Sequence, residues 1–396
     1  MLKIETGYLK KELPKKFSTI GMVLLVVGGV LGILSYVLDP ARASYSYLIT
    51  FLFIISIGIG SLFLVALEYA SGAVWSVPFR RVSEFFSSIV PFLILLAIPL
   101  VFNLHDIFKW SQPAAVSSEK LLQIKTPYLN ISFFLIRNAV ILIIWSIFYA
   151  LIIKNSRKQD SSGDQKLTKL NITTSTIFIP IYAFTITFIA IDWMMSIEPS
   201  WYSTIFGVYF FSGITMCALA VATFAVLYLL ENGYLGNRIT EDNLYSLGTL
   251  MFAFTAFWGY IAFSQYMLIW YGDLPEEISW FLHRWDGGWK YVSIILVITH
   301  FIVPFFGLLS SKAKTNHKRL KFMSVWIIAN HLFDIYWMVM PGMVVAGGKY
   351  FFSWSDLVFP IAAVGLFILL FVFMVKKYNL MPLGDPKLKR GLEFHL

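Results

Sequence analysis

Cysteine is nearly absent. Cys217 stands alone inside an apolar run, and one thiol can neither close an internal disulfide nor ligate an iron–sulfur cluster; no C-x-x-C-H haem-attachment motif exists either. Any redox centre held through cysteine is therefore expected on another chain. Charge is scarce as well. Asp, Glu, Lys and Arg make up 13% of the residues against 58% hydrophobic ones, and mean hydropathy is +0.73. A soluble fold could not hide that much apolar surface. Long polar stretches are lacking too, so no loop is expected to hold an independent domain.

What the chain does have is a series of long apolar runs. Crossing the hydrocarbon takes about 20 mostly apolar residues, because a helix rises about 1.5 Å per residue through about 30 Å of lipid. Ten stretches qualify: Phe17–Leu38, Tyr47–Ser71, Phe85–Leu104, Leu129–Ile153, Thr174–Ile197, Ser203–Leu230, Leu244–Tyr271, Trp289–Leu309, Phe322–Met343 and Leu357–Val375. The reading is an all-α integral membrane protein of about ten transmembrane helices. The first run resembles a signal peptide, with Ala41-Arg42-Ala43 as a small-x-small site, but it exceeds the roughly 7–15 apolar residues of a signal core and reads as a retained helix. Inside it, Gly28-x-x-x-Gly32 permits close approach to another helix.

Orientation follows from Lys and Arg. One side collects Lys3, Lys10, Lys11, Lys15, Lys16, Arg80, Arg81, Lys154, Arg157, Lys158, Lys166, Lys169, Arg238, Lys312, Lys314, Lys318, Arg319, Lys321, Lys376, Lys377, Lys387, Lys389 and Arg390, and the other has Arg42, Lys109, Lys120, Lys125, Arg284 and Lys349. The positive-inside rule then puts both termini in the cytoplasm. The same asymmetry accounts for the isoelectric point of about 9.3 by contact with anionic lipid headgroups, with no nucleic-acid partner expected. Asn155–Leu170 reads as a mobile polar connection. Gly272–Gly288, where Trp280, Trp285 and Trp289 interleave with acids, reads as an amphipathic belt element, for headgroup anchoring or partner docking.

Each ionisable group inside a span costs at least about 2.5–3.5 kcal/mol on insertion scales, so each is a functional candidate. Arg137 and Asp192 fall at similar depth, with His105 and Asp106 near enough in the pattern to join them. A helix-to-helix clamp and a proton or quinone role are both open there. On the other side Glu68 reads as a lone carboxyl, either a satisfied core group or a proton-uptake site. Mid-span come His300, Asn330, His331 and Asp334, with spacings that place Asp334 beside both Asn330 and His331 on one helix face. Such a His–Asp pair can pass a proton or fix a helix contact. Two histidines in adjacent spans raise haem, but no further ligand pair supports it, and no metal site is read. The run Phe257–Tyr271 adds Tyr260, Ser264, Gln265 and Tyr266, either lining a proton path or quinone pocket or serving as interfacial aromatics.

Three motifs carry a resemblance. The run Asp192-Trp193-Met194-Met195-Ser196-Ile197-Glu198-Pro199-Ser200-Trp201-Tyr202-Ser203-Thr204-Ile205-Phe206-Gly207-Val208-Tyr209-Phe210-Phe211, the Phe257–Tyr271 run and Leu274-Pro275-Glu276-Glu277 resemble the ActF-type subunits of bacterial alternative complex III. These belong with the NrfD-like (PsrC-like) membrane proteins. The resemblance covers essentially the whole chain. It implies two four-helix bundles, 45–197 and 203–343, with 17–38 and 355–376 peripheral, in a bacterial cytoplasmic membrane. It also implies a complex that oxidises quinol and reduces cytochrome c or an attached terminal oxidase. No cofactor is then expected on this chain; iron–sulfur clusters and haem c sit on an iron–sulfur subunit and multihaem cytochrome subunits, and the quinol site beside a homologous ActC-like membrane subunit.

Taken together, Glu68 would open an inward half-channel and Arg137, Asp192 and His105 an outward one, with Tyr260, Gln265, His300, His331 and Asp334 between. Three other readings stand beside this one: a direct quinol-binding subunit, a secondary transporter and a structural scaffold. Against the transporter, Pro91, Pro180 and Pro304 do not break helices at matching places in two repeats.

Overall fold

A computed structural model of the chain describes residues 12–236, 239–345, 347–348 and 352–396. Lys3, Lys10, Lys11, Arg238 and Lys349 of the charge pattern lie outside them. Every regular element among the described residues is helical, and ten helices are long and apolar enough to cross a membrane. They are α1 (Lys15–Leu38), α2 (Pro40–Ser71), α3 (Val77–Phe102), α4 (Ile131–Ser162), α5 (Gln165–Ile197), α6 (Phe206–Glu231), α7 (Glu241–Gly272), α8 (Trp289–Leu308), α9 (His317–Val345) and α10 (Ser355–Lys377). All ten expected spans exist, so the chain is an all-α polytopic membrane protein.

Several boundaries differ from the expected ones, each for a local reason. Helix α2 begins at Pro40, not Tyr47, because proline at its first position is already shaped for a helix and the Asp39 side chain accepts from the Arg42 amide. Helix α3 starts eight residues early, and Pro91 inside it leaves the 3₁₀ turn Ser87–Phe92. The supposed mobile connection Asn155–Leu170 is almost wholly helical. Helix α4 runs on to Ser162, Gly163 turns with φ 62°, and the Asp164 side chain caps α5 by accepting from the Lys166 amide. Polarity was a poor guide because Ser156, Gln159, Thr168 and Asn171 are buried, with Gln159 donating to Thr168 at 2.6 Å.

Packing is centred on α2 and α6, which are buried on nearly every side, as helices apolar all round must be. Helix α2 contacts α3, α5, α6, α9 and α10; α6 contacts α5, α7 and α9; α4 packs on α3 and α5; α8 packs on α7 and α9. Helices α1 and α10 pair closely. A Cβ on Gly28 would meet the Val358 carbonyl and the Ala362 amide at 2.7 Å, so the small-residue face of α1 serves backbone approach.

Candidate functional site

Seven carboxylate residues are buried among the described ones, and six have arginine partners. Asp356 pairs with Arg42 at 2.7 Å, Glu68 and Asp385 with Arg80 at 2.7 and 2.8 Å, Glu84 with Arg80 and Arg81, Asp192 with Arg137 at 2.7 Å, and Glu198 with Arg284 at 3.1 Å. Asp334 is the exception. Its Oδ1 accepts from the Tyr209 hydroxyl at 2.5 Å, its Oδ2 from the Trp258 indole at 3.2 Å, and His300 Nε2 lies 3.9 Å away. Leaving a carboxylate with neutral donors in a low-dielectric interior is costly unless a proton or another cation can reach it.

Helix geometry makes this centre. Val297–Ile302 is a single π-helical stretch carrying His300 between two α-helical segments of α8, a local widening often found at functional sites. The His300 ring packs edge to face on Trp258 with centroids 4.4 Å apart and lies near parallel to His331 at 6.3 Å. His331 shares hydrogen through Nε2 with the Ser56 hydroxyl of α2 at 2.9 Å. No hydrogen-bond partner is found for either nitrogen of His300 or for Nδ1 of His331. Gly213 of α6 gives these rings room, since a Cβ there would come within 2.9 Å of the His331 ring. The donor atoms of His300, His331 and Asp334 lie within 4.8 Å of one another, a set that can relay a proton and that also matches the ligand types of a small cation.

Not all the residues singled out from sequence meet here. His300, His331 and Asp334 do. Gln265, two turns along the same face of α7 from Trp258, is buried with an unpartnered Oε1, whereas Tyr260 is 65% exposed on the outside of the helix array. Asn330 turns aside to donate to the Trp326 carbonyl. Arg137 and Asp192 do pair: both oxygens of Asp192 take a guanidinium donor, and Tyr128 and Asn138 fill further positions at 3.0 and 2.9 Å. His105 does not join them; it is exposed on the one-turn helix Leu104–Ile107 that follows α3, and its Nδ1 bonds Ser111 at 3.1 Å. Glu68 is not a lone carboxyl. Arg80 and Arg81, read as loop charges, are inside α3 and knit Glu68, Glu84, Asp160 and Asp385 into one buried network. Their burial was invisible because the span was expected to start at Phe85.

The tryptophans of the Gly272–Gly288 segment divide. Trp280 and Trp289 are buried in the protein and only Trp285 is exposed, so the short helix Pro275–His283 folds back onto the bundle. Trp280 stacks on Trp201 at 4.5 Å, and Arg284 lies 3.4 Å over its ring. Behind them Glu198 accepts from Arg284 and bonds His283 Nδ1 at 2.7 Å. Burial works to raise the Glu198 carboxyl, but the Arg284 guanidinium and His283 hold it below its ordinary value. Burial takes Arg284 down to about 10 even with Glu198 and Tyr209 supporting its charge. Tyr209, Trp258, Ser56, Glu198, His283 and Arg284 were not singled out as site residues. Glu198, Tyr209 and Trp258 nonetheless sit inside the motif runs, which is the signal that marked them.

Fold and site together define a ten-span helical membrane protein with one buried His–His–Asp centre and an ion-pair site near each face. No family model matches the chain, and no curated protein does.

Proposed function

We propose that this chain is a proton-handling membrane subunit of a quinol-oxidising electron-transfer complex, of the ActF type its motifs resemble. One observation carries the reading: of the seven buried acids among the described residues, Asp334 alone has two histidines and two neutral donors in place of arginine. A carboxyl so placed exchanges a proton where a salt-bridged one is locked. The resemblance adds weight because Tyr209 and Trp258, the groups that bond Asp334, come from two of the motif runs.

In this reading the Glu68–Arg80 network marks the side with the termini, in the cytoplasm of a bacterial inner membrane by the positive-inside rule. Asp334 takes up a proton on the side that faces His300, and on release the Tyr209 oxygen accepts the carboxyl's proton as the hydroxyl passes its own proton onward. Iron–sulfur and haem c centres belong to partner subunits, and quinol oxidation to the assembly. The test is proton movement per electron in reconstituted complex: Asp334→Asn lowers it while electron transfer to cytochrome c persists, and an unchanged ratio refutes the proposal.

A second reading, quinol binding by this chain itself, has in its favour a largely apolar cavity of about 400 Å³ beside Tyr128, Ile191, Met195 and Trp201. Labelling of that wall by a photoreactive quinone would establish it.

A further inference from the structure

The outward half-channel expected from sequence joins Arg137, Asp192 and His105, yet the Arg137–Asp192 pair is closed: the Asp192 side-chain oxygens accept from Arg137, Tyr128 and Asn138, and no histidine touches them. A different charged group on the face opposite the termini has an exposed member. His283 closes the short helix Pro275–His283, its side chain is 39% exposed, and its Nδ1 meets the buried Glu198 at 2.7 Å.

Polar groups join this pair to the buried centre. Arg284 donates to Glu198 and also to the carbonyls of Trp337 and Met338 at 3.2 and 2.6 Å. Those two carbonyls lie one helical turn beyond Asp334 on α9. From α6, Tyr209 donates to Asp334. The rest of the layer is a wall of rings: Tyr209 stacks on Phe206, which meets Trp201 and Trp280 edge to face, and Trp280 meets Trp337. A proton leaving Asp334 toward this face therefore starts at Tyr209, and the Arg284–Glu198 ion pair fixes the polar layer that ends at His283.

Resting on the proton-handling reading above, we propose that His283, held in place by the ion-paired Glu198, is the site at which protons pass between the Asp334 centre and the water on the face opposite the termini. Glu198 holds the imidazole by Nδ1, leaving Nε2 as its other protonation position. Each transfer moves one proton: the ring gains it at one nitrogen, releases one from the other, and returns to its starting tautomer by rotation or exchange with water. The charged and titratable groups facing the pair are Arg284 beside it in sequence, Tyr209 from α6, Tyr45 from α2, and Lys125, which donates to the neighbouring Pro199 carbonyl at 2.5 Å.

The experiment is proton release from intact, reconstituted complex, followed across pH for His283→Ala with and without added imidazole. His283→Ala removes a half-exposed ring, so the assembly survives it, which subunit composition verifies. Glu198→Gln serves as the companion variant, and it moves the pH profile of release. Loss of a positioned acid–base group predicts release slowed by about tenfold or more, restored toward the wild-type rate by imidazole. Unchanged release in His283→Ala overturns the proposal, as does slowing that imidazole leaves untouched. If Asp334→Asn is also silent, the proton-handling reading itself falls; if Asp334→Asn blocks movement and His283→Ala does not, only the exit site does.

Discussion

The Tyr209 hydroxyl donates to Asp334 Oδ1 at 2.5 Å from a helix that is the neighbour, not the continuation, of the one bearing Asp334. Since Trp258 holds the other oxygen, Tyr209→Phe removes one donor and leaves the carboxyl with a partner. The ring keeps its stacking on Phe206. The rate of proton transfer is expected to fall by at least about tenfold with little change in the thermal midpoint in detergent. A variant as fast as wild type would show that protons bypass Tyr209.

The Arg137–Asp192 pair is expected to act in the opposite manner, as a clamp between α4 and α5. Arg137→Ala leaves a buried carboxylate with only Tyr128 and Asn138, and breaking such a pair costs about 3–5 kcal/mol. The double change Arg137→Met with Asp192→Leu removes both charges and recovers most of that loss. Unfolding midpoints of the three proteins decide the point, and proton yield in the double variant stays near wild type.

How much of this was legible follows from what each signal measures. Hydropathy reads the lipid-facing requirement directly, so all ten spans were visible, and the pairing of Arg137 with Asp192 followed from their matching depth. Depth along a helix says nothing about rotation around it. Tyr260 and Gln265 are five residues apart on α7, yet one faces outward and the other is buried. Nor does it reveal where a polar helix end tucks in, which is why Glu68 looked alone when Arg80 was twelve residues away. Asp334 was found because a charge in mid-span stands out. Its lack of an arginine needed the fold.

Stability against acid is expected to depend on Glu198. Its carboxyl is held below the ordinary value by Arg284 and His283, so the folded state binds the proton less readily than the unfolded chain. That stabilisation is complete above the unfolded value, about 4.3, and fades as pH falls through the lower native one. Glu198→Gln removes this slope and leaves the buried Arg284 guanidinium with neutral acceptors only, without an opposing charge. Thermal midpoints measured between pH 3 and 7 should therefore fall steeply at the acid end in wild type and be flatter, and lower at neutrality, in the variant. Parallel curves would mean that Glu198 titrates alike in both states.

The segment after α10 is expected to be a structural seal over the face with the termini. Asp385 reaches Arg80 at 2.8 Å, Leu380 and Met381 are fully buried, and Thr240 donates to the Phe394 carbonyl at 3.1 Å. Gly384 passes so near α4 that a Cβ would lie 1.8 Å from the Gln159 carbonyl oxygen. Backbone cannot yield at that spacing, so Gly384→Ala must lift the segment and take Asp385 from Arg80. The buried network then keeps Glu68 and Glu84 as partners for Arg80, and the ten-helix array persists. Limited proteolysis from the side that carries the termini separates the outcomes: cleavage within 378–396 becomes faster in Gly384→Ala, and Asp385→Asn shows a smaller increase because only the ion pair is lost. Equal protection in both variants would show that the seal depends on neither contact.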